Sequence, residues 1–142
     1  MQLLVGFHPR DTRCREQGYA EAQKYLARYY YLGHGVEQNY IEAVKWFRKA
    51  AELGHAEAQW YLGYRLMDGI GTPVDEVEGL SWFQRAAAGG KIEAHNNIGY
   101  SYYYGKGVEQ DHAQAAYWYR KGADLGDPWA MNNLSLLYET GD

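Results

Sequence analysis

The sequence predicts an all-α protein, an α/α superhelical solenoid of 36-residue helix-turn-helix repeats, on three observations. Tryptophan recurs at that step as Trp46, Trp82 and Trp118. Small and apolar residues keep the same step, as Ala22, Ala58, Ala94 and Ala130 and as Leu26, Leu62, Ile98 and Leu134. Glycine does so too, at Gly33, Gly69, Gly105 and Gly141. A unit this short has no room for a core of its own, so it is stable only when stacked on its neighbours, and stacking yields an extended surface rather than a closed pocket.

Each element follows from the first unit. Ala22, Leu26, Tyr29 and Tyr30 form the apolar stripe of an amphipathic helix A over 19–32. Gly33-His34-Gly35 ends it, and Gly69-Ile70-Gly71 and Gly105-Lys106-Gly107 end its copies, since glycine accepts the left-handed conformation of a helix C-cap. Helix B opens with a capping side chain three residues ahead of Glu or Gln: Asn39 with Glu42, Asp75 with Glu78, Asp111 with Gln114. Its expected core face is Val44, Trp46, Phe47, Ala50 and Ala51, then Leu80, Trp82, Phe83, Ala86 and Ala87, then Ala116, Trp118, Tyr119, Gly122 and Ala123. Gly54, Gly90 and Gly126 close helix B, and Asp127-Pro128 then supplies an N-cap and a proline at the first helical position.

The expected organisation is repeats at 18–53, 54–89 and 90–125, with 126–142 as helix A of a partial fourth. Residues 1–17 read equally as an eroded helix B, with Cys14 and Gly18 in the phase of Ala50 and Gly54, or as a disordered leader. At the far end the last helix reads either as a cap or as part of a longer array; in the second case Leu134, Leu137 and Tyr138 would leave apolar surface open, which predicts self-association.

Composition narrows the function. In 142 residues the formal net charge is -4 and no basic run occurs, which argues against nucleic-acid binding. No stretch approaches the roughly 18 consecutive apolar residues of a membrane span, so no membrane insertion is expected. The first residues carry no export signal, which favours a cytoplasmic location. The single cysteine, Cys14, allows no internal disulfide; Arg13 and Arg15 would lower its pKa, but an exposed thiol in a leader is the simpler account.

Chemistry is set aside on spacing. His8, His34, His55, His95 and His112 lack the i, i+4 pattern of metal ligands and read as surface residues, so no metal and no cofactor is expected. The Gly-x-Gly loops do not continue as a phosphate-binding fingerprint, and helix capping accounts for them. Ser81, Ser101 and Ser135 sit in no nucleophile motif, and Ser135 shares the small-residue packing position of Ala27, Gly63 and Gly99. No enzyme is expected.

The run His55-Ala-Glu-Ala-Gln-Trp-Tyr-Leu-Gly, then Gly69-Ile-Gly, Trp82-Phe, Ala86-Ala87 and Gly90, resembles the Sel-1-like repeat, a relative of the tetratricopeptide repeat, over about residues 18–141. The resemblance implies a right-handed superhelix of helix pairs that serves as a noncatalytic protein-interaction scaffold or adaptor. A cysteine-rich bacterial subgroup, associated with penicillin or cell-wall binding, implies an alternative as a cell-envelope ligand binder or weak hydrolase. This chain lacks that subgroup's cysteines.

If helix A lines the inner curve, as in the tetratricopeptide relatives, the partner-facing positions carried over by phase are Lys24, Arg28 and Tyr31, then Trp60, Tyr64 and Met67, then Asn96, Tyr100, Tyr103 and Tyr104, and last Asn132. Aromatic side chains with a polar tip favour interfaces. Asn96 and Asn132 would hydrogen-bond the backbone of an extended peptide, and Lys24 with Arg28 would favour a carboxylate at the first repeat. The competing account is that the tyrosines pack between adjacent A helices.

Overall fold

The computed structural model describes residues 12–141, with side chains from Gln17 onward. Among the described residues the regular structure is helical throughout: α1 (Thr12–Leu32), α2 (Tyr40–Glu52), α3 (Ala56–Asp68), α4 (Glu76–Ala88), α5 (Glu93–Tyr104), α6 (His112–Asp124) and α7 (Pro128–Thr140). Odd-numbered helices are the A helices and even-numbered ones the B helices. Each helix packs on the next in the chain, most extensively within a pair, and α5 also touches α7.

The start signals work as chemistry requires. Asn39, Asp75 and Asp111 accept hydrogen bonds from the amides of Glu42, Glu78 and Gln114, so all three B helices are capped alike. Asp127 accepts from Ala130 N ahead of Pro128. At the same phase His55 caps α3 through Nδ1, which accepts from Ala58 N at 3.2 Å. Lys91 lacks an acceptor, and α5 begins with no side-chain cap. Tyr19 holds that phase in the first unit, and there no helix ends: α1 runs unbroken from Thr12 through Gly18 to Leu32. The half-repeat or leader reading of 1–17 thus meets a continuous helix from Thr12, while residues 1–11 and the Cys14 side chain lie outside the description.

Gly69, Gly105 and Gly141 are left-handed caps, with φ of 69°, 69° and 76°. Capping does not account for the second glycine of the second and third loops, whereas at Gly35 an added Cβ would meet nothing. A Cβ on Gly71 would collide with the carbonyl oxygen of Tyr40, and one on Gly107 with that of Glu76. Those loops therefore press on the first turn of the preceding B helix, and glycine is required by close approach as well as by its positive φ.

The core runs along the array in three clusters, centred on Phe47 and Leu62, on Phe83 and Ile98, and on Tyr119 and Leu137. Of the helix B core face, Trp46, Ala87, Ala116, Trp118 and Ala123 are only half-buried, whereas Trp82 is buried. Each tryptophan carries a cation one turn on: Lys49 over Trp46 at 4.2 Å, Arg85 over Trp82 at 4.6 Å, Lys121 over Trp118 at 5.2 Å. Ser135 departs from its phase. Ala27, Gly63 and Gly99 are buried, and Ser135 is exposed because no described helix covers that side of α7. Of the residues expected to be open, Tyr138 is exposed, Leu134 is half-buried and Leu137 is buried; Trp129, Met131 and Leu136 are the other open apolar residues of α7.

Candidate functional site: the cavities between successive A helices

Stacking helix pairs leaves a cavity at each junction of A helices. Between α1 and α3 it measures about 140 Å³, between α3 and α5 about 360 Å³, and between α5 and α7 about 310 Å³. The last two share Asn96 and Tyr100, so they adjoin. Most of the partner-facing positions read from the sequence fall on this row, but with different roles.

Lys24 is not a free cation. It is buried, and Nζ donates to Glu57 at 2.7 Å and Glu21 at 2.9 Å. Burial disfavours its charged form, yet these two hydrogen bonds outweigh that and raise its pKa. The positive entrance expected from Lys24 is therefore neutralised within the fold. His55 joins the same cluster: its Nδ1 accepts from the Ala58 amide, so the proton sits on Nε2, and Nε2–H donates a hydrogen bond to Glu21 at 2.6 Å. The Lys24 ammonium and His55 together hold Glu21 down to about 2. His55 and His95 are thus not the surface residues expected. His95 is buried, donating from Nδ1 to Ile92 O at 3.0 Å beside the Trp118 ring.

Trp60 and Tyr64 are fixed by a residue the sequence reading passed over. Asn97 accepts from Trp60 Nε1 at 2.7 Å and donates to Tyr64 Oη at 2.8 Å. The two rings meet edge to face at 5.0 Å, and Tyr64 meets Phe83 the same way at 5.3 Å. Both aromatics therefore join α3 to α5, with Met67 packed in the same cluster. Asn96 and Asn132 do not act as a pair. Asn96 Oδ1 accepts from Asn133 Nδ2 at 2.7 Å, and Asn132 is exposed. The signal for Asn97 and Asn133 was present as the doubled Asn-Asn at 96–97 and 132–133.

Tyr100 and Tyr104 remain open, 47% and 54% exposed, with their rings 4.5 Å apart. Tyr103 is half-buried, stacked on His112 at 4.6 Å. Below them Tyr119 is buried, and burial raises its pKa far above the usual phenol range. Arg28 and Tyr31 line the α1–α3 cavity beside Arg65. Among the described residues no cluster of three or more His, Cys, Asp or Glu is placed to hold a metal, and no helix is long and apolar enough to cross a membrane.

An array of stacked helix pairs with its cavities strung along one set of helices is a helical-repeat scaffold. The chain belongs to the Sel1 repeat family: the family model, Sel1 repeat, matches residues 20–55, 56–91, 92–127 and 130–142. Among solved structures it is similar to a Sel1 repeat protein from Oxalobacter formigenes, at 37% identity and a TM-score of 0.82, covering 96% of this chain and 60% of that one. It is also similar to c5321, a protective antigen of uropathogenic Escherichia coli with an SLR fold, at 36% identity and a TM-score of 0.84, covering 99% of this chain and 32% of that one. Helicobacter pylori cysteine rich protein B shares the fold at 24% identity and a TM-score of 0.66, over 91% of this chain and 98% of its own. No curated protein matches the chain. The chain thus spans 60% and 32% of the length of the two more similar proteins. The Sel1 family generally mediates protein–protein interactions through non-catalytic scaffolds.

Proposed function

We propose that the chain is a noncatalytic adaptor that binds an extended segment of a partner protein along α3, α5 and α7, on the concave face of the array. The observation that carries this reading is the pair of adjoining cavities that share Asn96 and Tyr100, bordered by the open rings of Tyr100 and Tyr104. Amphipathic aromatics that keep much of their surface uncovered suit an interface, because they bury large area on contact with little loss of side-chain freedom. Of the positions read from the sequence, Met67, Asn96, Tyr100, Tyr103 and Tyr104 are retained for contact, and Trp60, Tyr64 and Lys24 are assigned to holding the helices together. The test is a photo-crosslinking residue placed at Tyr100 or, as a control on α4, at Gln84. A discrete partner captured from position 100 and not from 84 supports the reading; equal capture from both overturns it.

Self-association, expected from the C-terminal end, is retained on Tyr138, with Met131 in place of Leu134 and Leu137. These two residues lie two turns apart on one side of α7, 57% and 47% exposed and outside the lining of the α5–α7 cavity, and a second copy is the proposed occupant of that side. Sedimentation at tens of micromolar should show a dimer or larger species that Met131→Glu removes; a monomer throughout would exclude it.

A further inference from the structure

The smallest cavity in the row has a charge pattern of its own. Its lining is Arg28, Tyr31, Leu32, Phe47, Tyr61 and Arg65: two arginines, three aromatics and no acid. Elsewhere on the array cations are matched: Lys24, at the same α1–α3 junction but outside this cavity, holds Glu57 at 2.7 Å, Arg48 of α2 holds Glu78 of α4 at 2.7 Å, and Lys91 holds Glu93 at the start of α5 at 2.7 Å. Arg65 is different. Its guanidinium lies over the Tyr31 ring, 4.4 Å from the centroid, and its Nε and Nη1 are closed to solvent and donate to no described group. Burying guanidinium N–H groups without an acceptor is unfavourable, and stacking on an aromatic face answers the charge but not the hydrogen bonds. A carboxylate takes charge-assisted hydrogen bonds from guanidinium donors that face the cavity, and aromatic walls strengthen such a pair by keeping water away. With a net charge of -4 the protein at large offers an anion no general attraction, so any pull is local to the two arginines of this lining.

We propose that the α1–α3 cavity is a carboxylate-binding subsite, with Arg28 and Arg65 as its two cations, that anchors one end of the partner segment bound along α3, α5 and α7. It rests on the adaptor reading for its ligand class. The carboxylate is either a side chain of the segment or its C-terminal group, since both present the same oxygens.

The experiment follows the Arg65 Nε–H resonance by NMR in the full chain at constant ionic strength. The probes are N-acetylalanine, which carries a chain-end carboxylate, and N-acetylglutamate α-amide, which carries a side-chain carboxylate. N-acetylglutamine amide and added sodium chloride are the uncharged and ionic controls. A saturable shift with at least one carboxylate and none with the controls is expected, and the tighter probe identifies the source. Arg28→Gln should weaken binding about tenfold, the loss of one charge-assisted bond. Arg28→Lys, which keeps the charge and loses the guanidinium, should fall between and serves if Arg28→Gln unfolds. Equal shifts with the controls, no shift, or unchanged binding in the Arg28 variants would overturn the proposal. The probes are too small to reach Tyr100 from this cavity, so failure here leaves crosslinking at that position intact as the test of the adaptor reading, and the converse also holds.

Discussion

The junction of α1 with α3 and that of α3 with α5 occupy the same place in successive repeats, yet they are closed by different chemistry. The first is ionic: Lys24 bridges Glu21 and Glu57, and His55 adds a hydrogen bond to Glu21. The second is held by uncharged hydrogen bonds, Asn97 accepting from the Trp60 indole N–H and donating to Tyr64, with Lys91 over the Trp60 ring at 4.6 Å as a nearby charge. Lys24 and Trp60 are one period apart, so the repeat fixes where a tie must be made and leaves its chemistry open. One array therefore sets a joint whose ties are charged, and should respond to pH and salt, beside one whose ties are uncharged and should respond less.

The largest effect should come from the joint with uncharged ties. Asn97→Ala strands the Trp60 N–H and removes both hydrogen bonds, at about 2 kcal/mol; urea unfolding followed by helical circular dichroism should show that loss unchanged between pH 4 and 8. A loss that vanished at one end of this range would break the distinction. At the ionic joint Lys24→Met keeps most of the buried stem and removes the charge. Because Glu21 and Glu57 stay partly exposed, the expected loss is smaller, about 1 kcal/mol by the same measurement.

Acid then separates the joints further. The Glu21 carboxyl is lowered from 4.5 to about 2, so the unfolded chain binds its proton first. Its contribution is complete above about 4.5 and is lost as pH falls towards 2. With nearly half of the side chain exposed, solvent screening limits the effect to about 0.5–1 kcal/mol. Lys24→Met should flatten that part of the stability curve, and Asn97→Ala should keep it. The smallest effect is salt: raising sodium chloride from 50 mM to 1 M should weaken the parent by a few tenths of a kcal/mol and leave Lys24→Met nearly unchanged.

Much of the fold was legible because periodicity and capping are local signals. Asn39, Asp75, Asp111 and Asp127 cap the helices they precede, and Gly69 and Gly105 end theirs. Less of the candidate site was legible, because phase alone does not say which way a polar side chain turns. Lys24 looked like a ligand-facing cation and is consumed by two carboxylates. Asn97 sits one residue from the position chosen at Asn96 and makes the bonds across the joint. Ser135 looked like a packing residue because Gly63 and Gly99 are; a Cβ on Gly99 would come within 2.5 Å of the Tyr119 ring, whereas Ser135 faces no described helix. Phase predicts burial only where a neighbour exists to provide it.

By itself the sequence determined the repeat, the order of helices, the loops between them and the class of architecture, since each depends on residues within a few turns of one another. Tertiary structure alone decided which charges are neutralised, which aromatics remain open and which arginine is closed off without an acceptor. Those outcomes depend on side chains about one period apart meeting across a junction. Lys24 with Glu57, Trp60 with Asn97 and Tyr31 with Arg65 are such pairs, and stacking, not sequence proximity, brings them together.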